Sequence, residues 1–138
     1  MEIFKTTYIV KWADVDPYMH LRNSVYLDLG DHTRIAYFKA NNYPFSQFIK
    51  SGYGPVILKT SSEYLREVLL DDKVTIDCFR YYLSEDYKRW GIQHNIRKED
   101  QSIACILKVE GGFLDLKRRK LTIPEEQVKQ IMQNIPTI

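Results

Sequence analysis

The chain of 138 residues lacks long apolar runs. No segment approaches the roughly eighteen consecutive apolar residues of a transmembrane helix, and the first residues lack the apolar core of a signal peptide. These absences predict a cytoplasmic protein that does not enter a membrane. A strong charge of one sign is also missing, because 20 basic and 18 acidic side chains leave a formal charge of only +2. So small a charge does not favour a nucleic-acid partner.

Cysteine and histidine are scarce, with two and three residues in the whole chain. Cys78 and Cys105 stand alone within alternating apolar runs, which predicts buried thiols rather than metal ligands. The histidines show no paired ligand spacing, so no metal site is expected. His94 shares a strand face with apolar residues and is predicted to be a core histidine with satisfied hydrogen bonds.

The pattern along the chain predicts a single α+β domain over residues 1–138, of a length that can bury one core. Strands are predicted at residues 6–12, 56–70, 73–83, 87–98 and 102–116. A long helix is predicted to begin at Asn23 or Ser24 and to end near Asn41, and a short one to cover 124–134. With so few helices, the antiparallel sheet is expected to wrap around the long helix and to leave edges for partners.

Local signals refine these elements. Asn23 or Ser24 is a suitable N-cap for the long helix, and residues 122–125 have the spacing of a capping box. Gly30 in mid-helix predicts a close approach to a packed sheet, since glycine there costs about 1 kcal/mol relative to alanine. Gly111 and Gly112 predict a bulge or bend in the last strand. A helical turn is also predicted at residues 46–50.

Three polar residues cluster where the first strand gives way to the long helix. Asp16 ends an extended segment, His20 follows four residues later, and Asn23 lies at the mouth of the helix. A helix N-terminus supplies unpaired N–H donors, and a carboxylate near such donors suits attack on a polarised carbonyl group. Structural alternatives stay open, since Asp16 can cap a turn, His20 can pack against a partner chain and Asn23 can cap the helix.

This motif resembles the hotdog-fold acyl-CoA thioesterases, nearest to the 4-hydroxybenzoyl-CoA thioesterase-like group. The resemblance rests on the Asp14-Val15-Asp16 pair of acids with His20, Asn23 and Tyr26, at the start of a helix that carries Asp31 and Arg34. It implies a hotdog fold and hydrolysis of a thioester to a free acid and CoA. Asp16, the second acid, is then the catalytic carboxylate, as nucleophile or as general base, and Asp14 is a structural hydrogen-bonding residue. CoA enters as part of the substrate, so no separate cofactor is expected.

Two residues in the motif depart from the family pattern. Many relatives have Gly where this chain has Met19, and Asn where it has Arg22. Glycine tolerates positive φ angles that methionine disfavours. The departures therefore predict a changed loop backbone and a new charge beside the site.

Further residues are predicted to bind substrate. Phosphate groups of CoA need cations, Glu63 is a candidate second carboxylate in the cleft, and the start of the long helix adds polar groups. The predicted substrate-binding residues are Ser24, Tyr26, Lys59, Glu63, Arg118 and Arg119, with Arg66 as another candidate cation. Structural alternatives are a solvated strand end for residues 117–120 and interface packing for Tyr26.

Other functions and partners follow from the same resemblance. A non-catalytic module that binds acyl thioesters would keep the cleft without turnover. A hotdog enoyl-CoA hydratase typically has its Asp and His five residues apart, whereas Asp16 and His20 are four apart. The resemblance implies a homodimer, or a tetramer of dimers, in which two sheets join edge to edge and each cleft draws on both chains. The thioester can belong to CoA or to a carrier protein, and its acyl group is left open.

Overall fold

A six-stranded antiparallel sheet forms the framework of the protein, for which the computed structural model describes residues 3–138. The strands are β1 (Lys5–Ile9), β2 (Tyr53–Tyr64), β3 (Lys73–Asp77), β4 (Phe79–Leu83), β5 (Arg89–Arg97) and β6 (Ile103–Asp115). The helices are α1 (Asn23–Ala40), α2 (Phe45–Ser51) and α3 (Glu126–Gln133). The strand order is β1-β3-β5-β6-β2, and β4 pairs with β5, so β1 and β2 are the sheet edges. Within the described residues, no helix is both long and apolar enough to cross a membrane.

Most predicted elements are present, with shifted ends. The first strand stops at Ile9, because residues 12–14 turn into a short 3₁₀ helix. The run predicted as one strand over 73–83 is two strands, with a break at Cys78. The second strand begins at Tyr53 and ends at Tyr64, so residues 65–70 form a connection rather than its final part. The helical turn predicted at 46–50 lies within α2.

Both predicted helix caps are wrong. Arg22 is the N-cap of α1 and makes no side-chain capping bond, while Asn23 is already the first helical residue. At α3 the N-cap is Glu125, again without a side-chain capping bond. The Glu125 carboxylate instead accepts a hydrogen bond from the Tyr43 hydroxyl. The local capping patterns therefore did not determine where the helices begin. A tertiary contact of Glu125 accompanies the start of α3, and the preceding loop sets the start of α1.

Helix α1 packs closely against one face of the sheet. Its first half contributes Val25 and Leu29 to an apolar cluster that includes Ile76, and its last turns contribute Phe38 to a second cluster. A Cβ atom added to Gly30 would lie 2.6 Å from the Leu107 side chain, so glycine permits the approach that the sequence predicts.

The predicted irregularity near Gly111 falls on the neighbouring strand. Pairing between β2 and β6 shifts register between Ile57 and Lys59, where the opposing residues are Gly111 and Glu110. The side of Gly111 is closed by the Val56 carbonyl and the Trp90 ring, which leaves no room for a side chain. Gly111 thus allows the Val56 carbonyl and the Trp90 ring to pack closely against β6, beside a bulge in the edge strand β2.

A polar network lies inside the core, on the sheet side of α1. His94 is fully buried, with Nε2 2.9 Å from Arg34 Nη1 and Nδ1 2.6 Å from the Asp77 carbonyl. A guanidinium can only donate, so Nε2 accepts, Nδ1 donates and the ring is neutral. Burial, together with the Arg34 charge, lowers the pKa of His94 to about 3. The prediction of a satisfied core histidine is confirmed, as is the burial of Cys78 and Cys105.

Acid should destabilise the fold through His94. In the unfolded chain its pKa is near 6.5, whereas in the folded chain it is about 3. Between these pH values the unfolded state binds the extra proton, so stability is lost as the pH falls through this window, by about 1.4 kcal/mol per pH unit from this group. Urea unfolding from pH 7 to pH 4 should show a shallower slope of stability against pH for His94→Gln than for wild type. His32→Gln, at an exposed histidine of α1, is the control; equal slopes in all three proteins would exclude His94 as the source.

Candidate active site

The loop before α1 is organised by the Asp16 carboxylate. Asp16 Oδ1 accepts hydrogen bonds from the backbone N–H groups of Tyr18 at 2.9 Å and His20 at 3.1 Å. The Asp16 N–H donates to the His20 carbonyl at 2.9 Å, which closes a tight turn. Within this turn Met19 has a φ angle of 67°. Met19 therefore adopts a left-handed conformation that glycine favours.

The two carboxylate oxygens of Asp16 have different surroundings. Its Oδ1 atom holds the turn, whereas Oδ2 has no hydrogen-bond partner among residues 3–138. The side chain is half-buried and lines a cleft. One carboxylate oxygen thus fixes the group in place, and the other is available to a substrate or a water molecule.

The cleft lies between this loop, the start of α1 and the segment after β2. Its volume is about 360 Å³, and it is open to solvent. It brings together three predicted residues, Asp16, His20 and Asn23, with Tyr26 at its wall. Among the described residues, no three potential metal ligands are grouped together.

The segment after β2 contributes a carboxylate that the sequence did not reveal. His20 Nε2 lies 3.1 Å from Glu67 Oε1, and both side chains are partly exposed. The two segments are joined next to this pair, because the Leu21 N–H donates to the Val68 carbonyl at 2.8 Å. Glu63, the predicted second carboxylate, is exposed on β2 and does not line the cleft. The second carboxylate of the cleft, predicted at Glu63, is therefore Glu67.

The first turn of α1 offers backbone donors at the cleft. The N–H groups of Asn23 and Ser24 have no hydrogen-bond acceptor within the described part of the chain. The next N–H group, of Val25, donates back to the Arg22 carbonyl at 3.0 Å. Free N–H groups and the positive end of the helix dipole favour an anion at this position. Asn23 lines the cleft, whereas Ser24, a predicted substrate-binding residue, does not.

Asp14 is a structural residue. Its Oδ2 atom accepts hydrogen bonds from the Tyr8 hydroxyl at 2.5 Å and from the Lys11 N–H at 2.9 Å. It fixes the 3₁₀ turn that carries the chain from β1 into the Asp16 loop. The two acids of the motif thus have different surroundings, and the available carboxylate oxygen belongs to Asp16.

The Tyr26 side chain is almost entirely buried within the protein. It is 4% exposed and packs edge to face on Tyr64, with 5.1 Å between ring centroids. Burial raises the pKa of its hydroxyl, so the group stays protonated. Tyr26 can bound the cleft and offer one neutral polar atom, but not a base.

The predicted cations are separated by the length of β2. Arg66 lines the cleft at the end of β2. Arg118 and Arg119 follow β6, whose last residue pairs with Tyr53 at the opposite end of β2. Lys59 lies between, exposed, with Nζ 4.0 Å from Glu110. Within one chain, the structure does not bring Lys59, Arg118 or Arg119 to the Asp16 cleft.

An antiparallel sheet packed on one long helix, with an acidic loop at the helix start, defines the hotdog class of domains. The chain belongs to the thioesterase-like superfamily, whose family model matches residues 10–131. This membership confirms the predicted class of reaction, thioester hydrolysis. No curated protein matches the sequence.

Solved structures share the fold at low sequence identity. A hypothetical protein from Staphylococcus aureus in complex with CoA is 21% identical with a TM-score of 0.87, covering 99% of this chain and 88% of that one. A 1,4-dihydroxy-2-naphthoyl-CoA thioesterase from Synechocystis is 12% identical with a TM-score of 0.86, covering 96% and 97%. A gentisyl-coenzyme A thioesterase is 16% identical with a TM-score of 0.82, covering 93% and 98%. The hotdog fold of the chain is thereby confirmed.

Proposed function

We propose that the chain hydrolyses an acyl-CoA thioester to a free acid and CoA in the cleft beside Asp16. The observation that carries this proposal is the juxtaposition of an available Asp16 oxygen with the unpaired N–H groups at the start of α1. Similar structures support CoA as the carrier, because one was solved with CoA and two are named as thioesterases of 1,4-dihydroxy-2-naphthoyl-CoA and gentisyl-coenzyme A. Water is the only other reactant required.

The reaction develops negative charge on the thioester oxygen. In the proposed mechanism the N–H group of Asn23 and the helix dipole stabilise that oxygen. Asp16 Oδ2 either attacks the carbonyl carbon to give an anhydride, which water then hydrolyses, or removes a proton from an attacking water. In both routes the C–S bond breaks, the new acid gains an oxygen from water, and a proton reaches the departing CoA sulfur. His20 is positioned to deliver or hold that proton.

Glu67 should act as a positioning residue for His20. Glu67→Gln keeps the size of the side chain but removes the charge that faces His20 Nε2 at 3.1 Å. We expect kcat to fall about tenfold while KM stays within about twofold, because orientation of a proton-transfer group affects the transition state more than binding. Steady-state kinetics of thiol release measures both parameters.

The matched control is Glu85→Gln, since Glu85 is an exposed acid in the turn between β4 and β5, outside the cleft and away from β2. Its kinetics should equal those of wild type, and Glu67→Asp should recover part of the lost kcat. An unchanged kcat in Glu67→Gln would remove Glu67 from the site. A matching loss in Glu85→Gln would point to a general charge effect instead.

We further propose a homodimer in which two β2 strands pair antiparallel across a two-fold axis. β2 is an edge strand of twelve residues that exposes Ile57, Leu58 and Tyr64 by 43, 52 and 48%. Such long apolar edges are normally covered, and a two-fold axis makes the contact self-complementary. The start of β2 in one chain then lies beside the end of β2 in the partner chain. A tetramer of dimers stays a prediction from the resemblance.

This pairing would supply CoA-binding cations from both chains. It sets the Tyr53 end of β2, and with it the turn that carries Arg118 and Arg119, beside the partner's cleft. Arg66 is the cation from the same chain, and Lys59 lies near the middle of the paired strands. The cationic residues that are dispersed along one chain are thereby candidates for a shared phosphate-binding rim.

An α,β-unsaturated thioester separates the three candidate functions. With crotonyl-CoA a thioesterase releases free thiol, a hydratase adds water to the double bond without thiol release, and a binding module does neither. We expect thiol release. Water addition without thiol would favour the hydratase, and CoA binding without either reaction would favour the non-catalytic module. A carrier-protein thioester and a cytoplasmic location stay predictions from the sequence.

A further inference from the structure

A second cavity, apart from the Asp16 cleft, lies between α1 and the sheet. Its volume is about 240 Å³, and its walls come from α1, α2, α3 and strands β2, β5 and β6. Most of the lining is apolar, including Phe38, Trp90 and Phe113. For comparison, an apolar cavity of about 150 Å³ is large enough to bind benzene. The space can therefore hold a compact organic group.

Two charged residues, Arg34 and Asp31, form the polar wall of this cavity. Arg34 is only 8% exposed, and its Nη2 donates to the Asp31 carboxylate. Its Nη1 lies 2.9 Å from His94 Nε2, and its guanidinium carbon is 6.0 Å from the centre of the Trp90 ring. These two hydrogen bonds use two of the five N–H groups of a guanidinium, so the other three have no partner among the described contacts.

We propose that this cavity receives the acyl part of the substrate, and that Arg34 and Asp31 select an acyl group with a hydroxyl at its far end. A hydroxyl can accept from the Arg34 guanidinium and donate to the Asp31 carboxylate at once. A methyl group in its place makes neither of these hydrogen bonds, so the N–H groups of Arg34 that Asp31 and His94 do not use gain no partner. A carboxylate meets the negative charge of Asp31, because the Arg34 charge is already balanced by that residue. The inference rests on the proposed acyl-CoA hydrolysis and specifies its substrate class.

The cavity lies beside the edge strand β2, and this position supports binding of the acyl group of the substrate there. Pro55 and Ile57, near the start of β2, line its wall. In the proposed dimer this end of β2 lies beside the end of the partner's β2, where the partner's catalytic cleft is formed. The thioester carbonyl in one cleft and the acyl group in the neighbouring cavity then lie along one path. Alternatively, a partner side chain fills the cavity, an outcome that the experiment below detects.

Three acyl-CoA substrates of matched length test the selection: heptanoyl-CoA, 6-hydroxyhexanoyl-CoA and adipyl-CoA. They end in a methyl, a hydroxyl and a carboxylate. Wild type should show at least about tenfold higher kcat/KM for the hydroxylated substrate than for heptanoyl-CoA, because hydrogen bonds to charged groups are the stronger ones. Adipyl-CoA should be the poorest of the three.

Asp31→Asn is the decisive variant, because the side chain at this position is half-exposed and the amide oxygen can still accept the hydrogen bond from Arg34. Its melting temperature is measured beside its kinetics, since the buried Arg34 loses a balancing charge. Removal of the Asp31 charge leaves Arg34 unbalanced, so kcat/KM for adipyl-CoA should rise at least about tenfold while that for heptanoyl-CoA changes little. Asp28→Asn, at an exposed acid of α1 that does not line the cavity, should behave as wild type. Equal use of the three substrates, or no gain for adipyl-CoA in Asp31→Asn, would overturn the selection while leaving hydrolysis intact.

Binding can be read without turnover from Trp90, which lines the cavity. The chain has two tryptophans, and Trp12 is 72% exposed, so Trp12→Phe combined with Asp16→Asn leaves Trp90 as the only indole. We expect 6-hydroxyhexanoyl-CoA to change the Trp90 emission at lower concentration than heptanoyl-CoA, and CoA alone to leave it unchanged. Emission that responds to none of them would mean that the cavity is filled or does not receive the acyl group. Absence of hydrolysis by wild type, with a normal Trp90 response, would instead reject only the proposed function.

Discussion

Asp16→Asn should lower kcat for acyl-CoA hydrolysis by on the order of 10²–10⁴. The amide is neutral, so it can neither attack the thioester carbonyl nor remove a proton from water as the carboxylate does. Folding should survive, because the amide oxygen can still accept the N–H groups of Tyr18 and His20 that Asp16 Oδ1 now accepts. The loss should therefore appear in kcat with the melting temperature nearly unchanged.

Asp14→Asn is the matched control in the same motif. Asp14 is held by Tyr8 and Lys11 in the 3₁₀ turn, so its replacement should cost stability, about 1 kcal/mol for a weakened hydrogen bond, and far less activity. Equal turnover by wild type and Asp16→Asn would end the catalytic assignment. A large fall in the melting temperature of Asp16→Asn, with activity lost in step with the folded fraction, would make Asp16 a structural residue.

Leu58→Glu should dissociate the dimer and abolish most activity. Leu58 is 52% exposed near the middle of β2, so a two-fold axis through that strand sets the two new carboxylates close together, where like charges repel. Sedimentation equilibrium should show a fall from twice the 16.4 kDa chain mass to the mass of one chain. Because the proposed site draws on both chains, kcat/KM should fall at least about tenfold when they separate.

Ile9→Glu provides the control on the other sheet edge, since Ile9 is 57% exposed at the end of β1. This variant should remain dimeric and active. A wild-type chain that is monomeric at micromolar concentration would contradict the shared site. Dissociation by Ile9→Glu rather than Leu58→Glu would move the interface from β2 to β1.

The arrangement of the Asp16 loop was predictable from the sequence because its contacts are local. Asp16, His20 and Asn23 lie within eight consecutive residues, and a turn followed by a helix start necessarily brings them together. The effect of Met19 was not predictable. Hydrogen bonds from two backbone N–H groups to Asp16 hold the turn, and these outweigh the preference of methionine for negative φ.

Contacts between segments that are distant in the chain could not be predicted from the sequence pattern. Glu67 contacts His20, 47 residues away in the sequence, because the connection after β2 returns to the Asp16 loop. The shift from Glu63 to Glu67 depends on where β2 ends, and strand ends are the weakest part of such a prediction. Arg34 and His94 are 60 residues apart in the chain, and neither carries a local signal that pairs them. The cavity beside Arg34 depends on the packing of six elements.

Thiol release from acyl-CoA substrates by the wild-type protein is the most direct measurement of whether this chain is a thioesterase. A panel should vary the acyl group in length, in aromatic or aliphatic character, and in its terminal group, and the free acid should be measured alongside the thiol. We expect at least one substrate to be hydrolysed with equal amounts of acid and CoA thiol, at a rate that Asp16→Asn loses. Binding of CoA thioesters without thiol release from any member of the panel would contradict a thioesterase and leave a binding module.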